Sequence, residues 1–231
     1  MSKKVKKEYS EEELGAILNE LLKDVVIIED DDEEIKGEKS SESKASDTTE
    51  DATGENREIF LIGELEEEDI DIIQDIIEWN RNDKKDNIPV EERKPIILYF
   101  NSPGGDLSVY RTVSDVIRAS KTPVYGVNLG ACSSAAALIF MNCHKRLALP
   151  KSYFLLHEGG GKFEGGFRDL CDNFEFYKIE VENFSKEIAD RTNFTMEEIN
   201  VNIKKEWFVN TETALSRKLI DMILTDIDDI L

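Results

Sequence analysis

From residue 57 onward apolar residues fall into short blocks, and their period changes from block to block. Ile59-Phe-Leu-Ile62 is an apolar run that stops at Gly63, as a short strand would. Ile70, Ile73 and Ile77, with Ile72 and Ile76 beside them, recur at helical spacing and predict an amphipathic helix. Arg81 to Lys94 is polar and holds Pro89, which predicts a loop. Pro95-Ile-Ile-Leu-Tyr-Phe100 is continuously apolar, the pattern of a strand buried on both faces. Val109, Val113, Val116 and Ile117 predict a helix, Pro123 to Val127 a strand, Ser133 to Cys143 a buried helix, and Tyr153 to Leu156 a fourth strand. Strands and helices alternating at these lengths predict an α/β domain with a largely parallel sheet and right-handed crossovers.

A long helix should follow. Leu170, Phe174, Tyr177, Val181, Phe184 and Ile188 step by four and three in turn, a period of 3.5 that marks a helix packing along another helix. Such a stripe serves either an ordinary core helix or a helix that meets a partner, such as an identical subunit.

Charge separates the first 56 residues from the rest. They hold 18 acidic and 8 basic side chains, within a chain of 50 acidic and 29 basic residues and net charge −21. Ser10 and Glu13 form a capping box ahead of Leu14, Ile17, Leu18, Leu21, Leu22 and Val25, so a short amphipathic helix is expected over about 10–28. It reads equally as a docking segment and as a marginal helix on its own domain. The stretch 39–49 lacks apolar residues and should be disordered. The acidic run Glu29 to Glu34 is not a calcium loop, because position six of such a loop needs glycine and here is Ile35.

The acidity argues against nucleic acid as a partner. The longest apolar run, Ala135 to Met141, is too short to span a bilayer, and an acidic stretch rather than an apolar core follows the basic N-terminus, so neither a membrane segment nor a secretory leader is expected. Cys132, Cys143 and Cys171 form no CxxC pair, which suggests reduced thiols and a cytoplasmic location.

Three strand ends carry candidate chemistry, since sites in open α/β sheets gather there. Asn101-Ser-Pro-Gly-Gly105 offers backbone N–H groups to an anion or oxyanion, although SPGG alone is a common turn. Gly130-Ala-Cys-Ser-Ser-Ala-Ala-Ala137 places Ser134 in the first turn of a helix of small residues, a composition that also suits tight helix packing. His157 ends the fourth strand. A serine nucleophile needs a base within reach, and the chain has two histidines. His144 lies beside Lys145 and Arg146, whose charges disfavour its protonated form, so His157 is the better base. The glycines around it, 159–161 and 165–166, suit an edge that pairs with a substrate strand. GxSxG, GxxxxGK[ST] and GxGxxG are absent, and no metal-ligand spacing is present, so no cofactor or metal is expected.

Together these segments resemble the Clp protease proteolytic subunit family (ClpP), serine peptidases of the ClpP/crotonase-like superfamily. The resemblance runs from about Arg57 to Leu224. It includes Glu58-Ile-Phe-Leu-Ile-Gly63, Ile97-Leu-Tyr-Phe-Asn-Ser-Pro-Gly-Gly105, Gly130-x-x-x-Ser134, Arg146-Leu-Ala-Leu-Pro150, Leu156-His157, Phe208-Val-Asn-Thr-Glu-Thr-Ala214 and Leu219-Ile-Asp221. It implies an α/β ClpP/crotonase-like fold, with stacked, largely parallel β-sheet layers flanked by helices and a protruding long handle helix, over a domain at 57–231. It implies Ser134 as nucleophile, His157 as general base, Glu206 as the acid, and an oxyanion hole at Gly104 and Ala135. It further implies a self-compartmentalising homo-oligomer of stacked seven-membered rings that cleaves peptides and unfolded proteins delivered by an AAA+ unfoldase. Several positions depart from the family. Glu206 stands where Asp is usual, Ala135 where Met is usual, Lys218 where Gly is usual, and Glu158-Gly159 where Gln-Pro follows the histidine. The 81–94 loop is longer, and the acidic extension replaces a short N-terminal segment, where it would gate the entrance. A non-catalytic ring subunit is the alternative, and a crotonase-type acyl-CoA enzyme a weaker one.

Overall fold

The computed structural model describes residues 56–160 and 165–230. The helix expected over 10–28 and the disorder expected at 39–49 lie outside the described residues.

Seven strands form the sheet: β1 (Glu58–Leu65), β2 (Ile96–Gly105), β3 (Val124–Ser133), β4 (Lys145–Ala148), β5 (Tyr153–Leu156), β6 (Trp207–Asn210) and β7 (Met222–Ile223). The main path runs β1-β2-β3-β4-β7, with every pair parallel. Strand β3 divides its pairing. Tyr125 to Asn128 pair with β4, and Ala131 to Ser133 pair with β5, which in turn carries β6 antiparallel. The sheet therefore forks along β3 into two layers, in accord with the expected fold class.

Strand β2 shows why its sequence is apolar throughout. Successive side chains point to opposite faces. Ile96, Leu98 and Phe100 join the main core, whereas Ile97 and Tyr99 join a second cluster with Val127, Leu147 and Leu224. The helices α1 (Ile72–Lys85), α2 (Leu107–Ala119) and α3 (Ser134–Asn142) lie between strands. Every residue of α3 from Ala135 to Asn142 is buried, as the apolar run Ala135 to Met141 requires, and Asn142 meets that burial by donating to the Leu138 carbonyl at 2.9 Å.

One expectation needs correction. The polar segment 81–94 is half helix, because α1 continues to Lys85 and a short 3-10 turn covers Val90–Glu92. The face set by Ile72 and Ile76 ends on Asp83, which is buried and held by Arg57 at 2.6 and 2.9 Å and by Thr122 at 2.6 Å. A salt bridge thus occupies a position where hydrophobicity alone predicts an apolar residue. The 3.5-period stripe divides along its length, with Leu170 exposed, Phe174, Tyr177 and Val181 half-buried and only its C-terminal part in the core. It lies on α4 (Phe167–Arg191), where Phe184 and Ile188 are buried in the chain's own core. The apolar residues α4 leaves most open are Phe176 at 56%, Phe167 at 55% and Ile179 at 54% exposure, with Leu170 of the stripe less so. Two shorter helices, α5 (Met196–Asn202) and α6 (Thr211–Ser216), complete the described chain.

Candidate functional site

Strand β3 ends at Ser133, whose register partner is Leu155 of β5, and α3 begins at the next residue. The change of direction falls on Ser134, with φ +51°. The left-handed region costs an L-residue about 1–2 kcal/mol. Here it is imposed from both sides, by the ladder before it and the buried helix after it. The turn also leaves Ala135 in the first turn of α3, where backbone N–H groups lack intrahelical acceptors and the helix dipole is positive.

His157 follows the last residue of β5, and its Nε2 lies 2.7 Å from Ser134 Oγ. The two residues singled out in the sequence as nucleophile and base are therefore brought into hydrogen-bond contact by the pairing of β3 with β5.

Gly104 packs against the same turn. It has φ +99°, and a Cβ there would lie 2.7 Å from Ser134 Cβ, 2.8 Å from the Ser133 carbonyl and 3.1 Å from the Ala135 nitrogen. No other residue type fits. Its N–H donates to Ser102 Oγ at 3.1 Å, a fully buried hydroxyl that the sequence reading did not single out. The neighbouring Gly105, with Ser134, Ala135 and His157, lines a cavity of about 220 Å³. Asp106 then caps α2 by accepting from the N–H groups of Ser108 and Val109. The Ser108 hydroxyl, against some burial and aided by those amides, holds its carboxyl below the usual range.

Glu206 sits differently. It is exposed, just before β6, and with His157 it lines a second cavity of about 410 Å³. Among the described residues no hydrogen bond joins it to His157. The structure thus brings Ser134, His157, Ala135 and Gly104 together and leaves Glu206 across a gap. Glu158 lines the smaller cavity, and its N–H donates to the Ile203 carbonyl at 2.8 Å. Tyr177, on α4, donates its hydroxyl to the carbonyls of Glu158 (3.1 Å) and Gly159 (2.9 Å), which ties the segment after His157 to the long helix. A lone tyrosine in an apolar stripe carries no sequence signal of that contact.

His144 is engaged elsewhere. Its Nδ1 accepts from the Val124 N–H at 2.9 Å. Burial lowers its pKa, and Arg191 acts in the same direction, whereas the sequence pointed to Lys145 and Arg146. Among the described residues no group of three or more His, Cys, Asp or Glu side chains is placed to hold a metal ion.

Residues 40–226 match the family model described as Clp protease. The chain is similar to the ATP-dependent Clp protease proteolytic subunit 2 of Treponema pallidum, 29% identical over 137 residues that make up 57% of this chain and 67% of the relative. It is 31% identical to proteolytic subunit 2 of Pseudomonas aeruginosa over 136 residues, 56% of this chain and 66% of the relative. The solved structure of a ClpP1 mutant from Listeria monocytogenes aligns with a TM-score of 0.64 at 20% identity, covering 76% of this chain and 95% of that one, and shares its fold. With a family match across most of its length and a fold in common with a solved ClpP, the chain belongs to the Clp protease family.

Proposed function

We propose that the chain is a serine endopeptidase subunit in which Ser134 is the nucleophile and His157 the general base. The observation that carries this reading is the 2.7 Å contact between Ser134 Oγ and His157 Nε2 at a strained strand-to-helix turn, in a chain of the Clp protease family. Ser134 Oγ attacks a peptide carbonyl while its proton passes to Nε2. The bond to the leaving amine then breaks as Nε2 returns that proton to it, and water repeats the sequence to release the acyl group. The negative oxygen of each intermediate is met by the Ala135 N–H at the positive end of α3. The Gly104–Gly105 turn supplies the second donor. Because the Gly104 N–H is held by Ser102, the turn must release it on substrate binding or present the Gly105 N–H instead. Glu206 is the carboxylate that orients the imidazole once the segment before β6 closes on Nδ1.

Peptides and unfolded chains are the substrates, in a cytoplasm-like, reducing compartment. The particle is a homo-oligomer of stacked rings, with an AAA+ unfoldase as its feeding partner. The exposed Phe176 and Ile179, on the outer face of the long helix, supply apolar surface for a second copy. The acidic extension gates entry, so removing residues 1–56 should speed cleavage of a small peptide.

A non-catalytic ring subunit is the second reading, favoured by the unbonded Glu206 and the committed Gly104 N–H. Treatment with a fluorophosphonate, followed by mass-spectrometric mapping, separates the two. An adduct on Ser134 that disappears in His157→Ala supports the peptidase. No adduct on the assembled particle supports the non-catalytic subunit.

A further inference from the structure

The cavity beside Ser134 is built for one kind of side chain. Leu107, Leu138 and Phe184 give it apolar walls. Among the described residues Glu158 is the one carboxylate in those walls, and no Lys or Arg lines it. Glu158 is half-buried and makes no ion pair among the described residues. The carbonyls of Glu158 and Gly159 are acceptors too. Tyr177 spends its hydroxyl proton on the carbonyls of Glu158 and Gly159, so none is left to offer a ligand. Burial and then the Glu158 carboxylate raise the pKa of Tyr177, which sets that carboxylate within electrostatic reach of the phenol. An apolar slot beside a nucleophile, with a carboxylate and no counter-cation among the described residues, matches a long alkyl stem ending in a positive charge.

We propose that Glu158 makes this cavity selective for a lysine or arginine side chain on the substrate residue whose carbonyl Ser134 attacks. The inference rests on the peptidase reading above. The alkyl stem lies along Leu107, Leu138 and Phe184 while the cation pairs with Glu158. An acidic side chain is rejected by like charge, and an apolar one fills the slot but leaves the carboxylate unpaired.

The test uses the full chain and fluorogenic peptides that differ at that one residue: Lys, Leu or Glu. In the wild type, kcat/KM should fall in that order, with Lys over Glu by at least about 100-fold. Glu158→Gln should cut the Lys-to-Leu ratio by about tenfold, and Glu158→Lys should reverse the Lys-to-Glu preference. Should both variants fail to fold, the wild type still decides, because the Lys-to-Leu ratio should drop as salt rises from about 0.05 to about 0.5 M. A wild type that prefers Leu at every salt concentration overturns the proposal, as does a Lys-to-Leu ratio unmoved by Glu158→Gln. If fluorophosphonate labels Ser134 while the ratio stays flat, only the specificity claim fails. If no peptide is cut and Ser134 is not labelled, the peptidase reading fails and takes this one with it.

Discussion

Replacing Gly104 by alanine tests whether that glycine holds the nucleophile in place. Two penalties combine. At φ +99° an L-residue is strained by about 1–2 kcal/mol. The new Cβ would also stand 2.7 to 3.1 Å from Ser134 Cβ, the Ser133 carbonyl and the Ala135 nitrogen. Carbon contacts prefer about 3.5–4.0 Å, so something must yield by several tenths of an ångström to about 1 Å. Two of the three neighbours are backbone of the turn itself, and what yields is therefore Ser134. Overpacking of this kind costs about 1–3 kcal/mol, so the loss of stability should total about 2–5 kcal/mol. Misplacement by about 1 Å should slow the reaction of Ser134 by about 100-fold. The assay is the rate of fluorophosphonate labelling at Ser134, with urea unfolding run in parallel. Gly63 is the matched control. Its φ is +92°, yet a Cβ there meets nothing within 4 Å. Gly63→Ala should show only the strain of about 1–2 kcal/mol and label at the wild-type rate. Labelling of Gly104→Ala at the wild-type rate would refute the argument.

Asp83→Asn should lower unfolding free energy by about 3–5 kcal/mol in urea melts at neutral pH, since it leaves the Arg57 charge buried without its partner. Burial pushes the Asp83 pKa up, but hydrogen bonds from Arg57 and Thr122 outweigh it and hold it below the ordinary value. That stabilisation is complete above the ordinary carboxylate pKa of about 3.9 and is lost as pH falls through the lower folded-state value, so acid melts of Asp83→Asn should be less pH-dependent in this window than those of the wild type. Glu206→Gln should lower kcat on a small peptide by about 100-fold or more if the carboxylate reaches Nδ1 during turnover, and an unchanged kcat would remove Glu206 from the mechanism. Phe176→Glu should weaken self-association in sedimentation without lowering the melting temperature of the isolated subunit, because that side chain touches solvent and not the core.

The sequence made some of this legible because its signals were local. Runs such as Ile96 to Phe100 have one reading, and a serine after β3 with a histidine after β5 follows from the strand ends. What escaped depends on pairs distant along the chain. Asp83 closes a helix face only because Arg57 and Thr122 meet it there. Strand β6, Trp-Phe-Val-Asn, lacks alternation and becomes a strand through pairing with β5. The buried Ser102 looked like part of a polar turn, yet its hydroxyl fixes the conformation of Gly104. Glu206 shows the opposite outcome: the resemblance identified it, and its side chain makes no bond to His157.

The ladder β3–β5–β6 sets distances within the site independently of chain length. Ser133 lies opposite Leu155, and Leu156 lies opposite Trp207, so Ser134, His157 and Glu206 each sit one residue beyond or before a paired position. The chain between Leu156 and Trp207, which carries α4 and α5, can lengthen or shorten without altering that spacing. Within β5 the tolerance vanishes. Deleting a single residue there shifts the alternation by one and turns His157 to the opposite side of the ladder. A change of length is thus far better tolerated in the long excursions than in this four-residue strand.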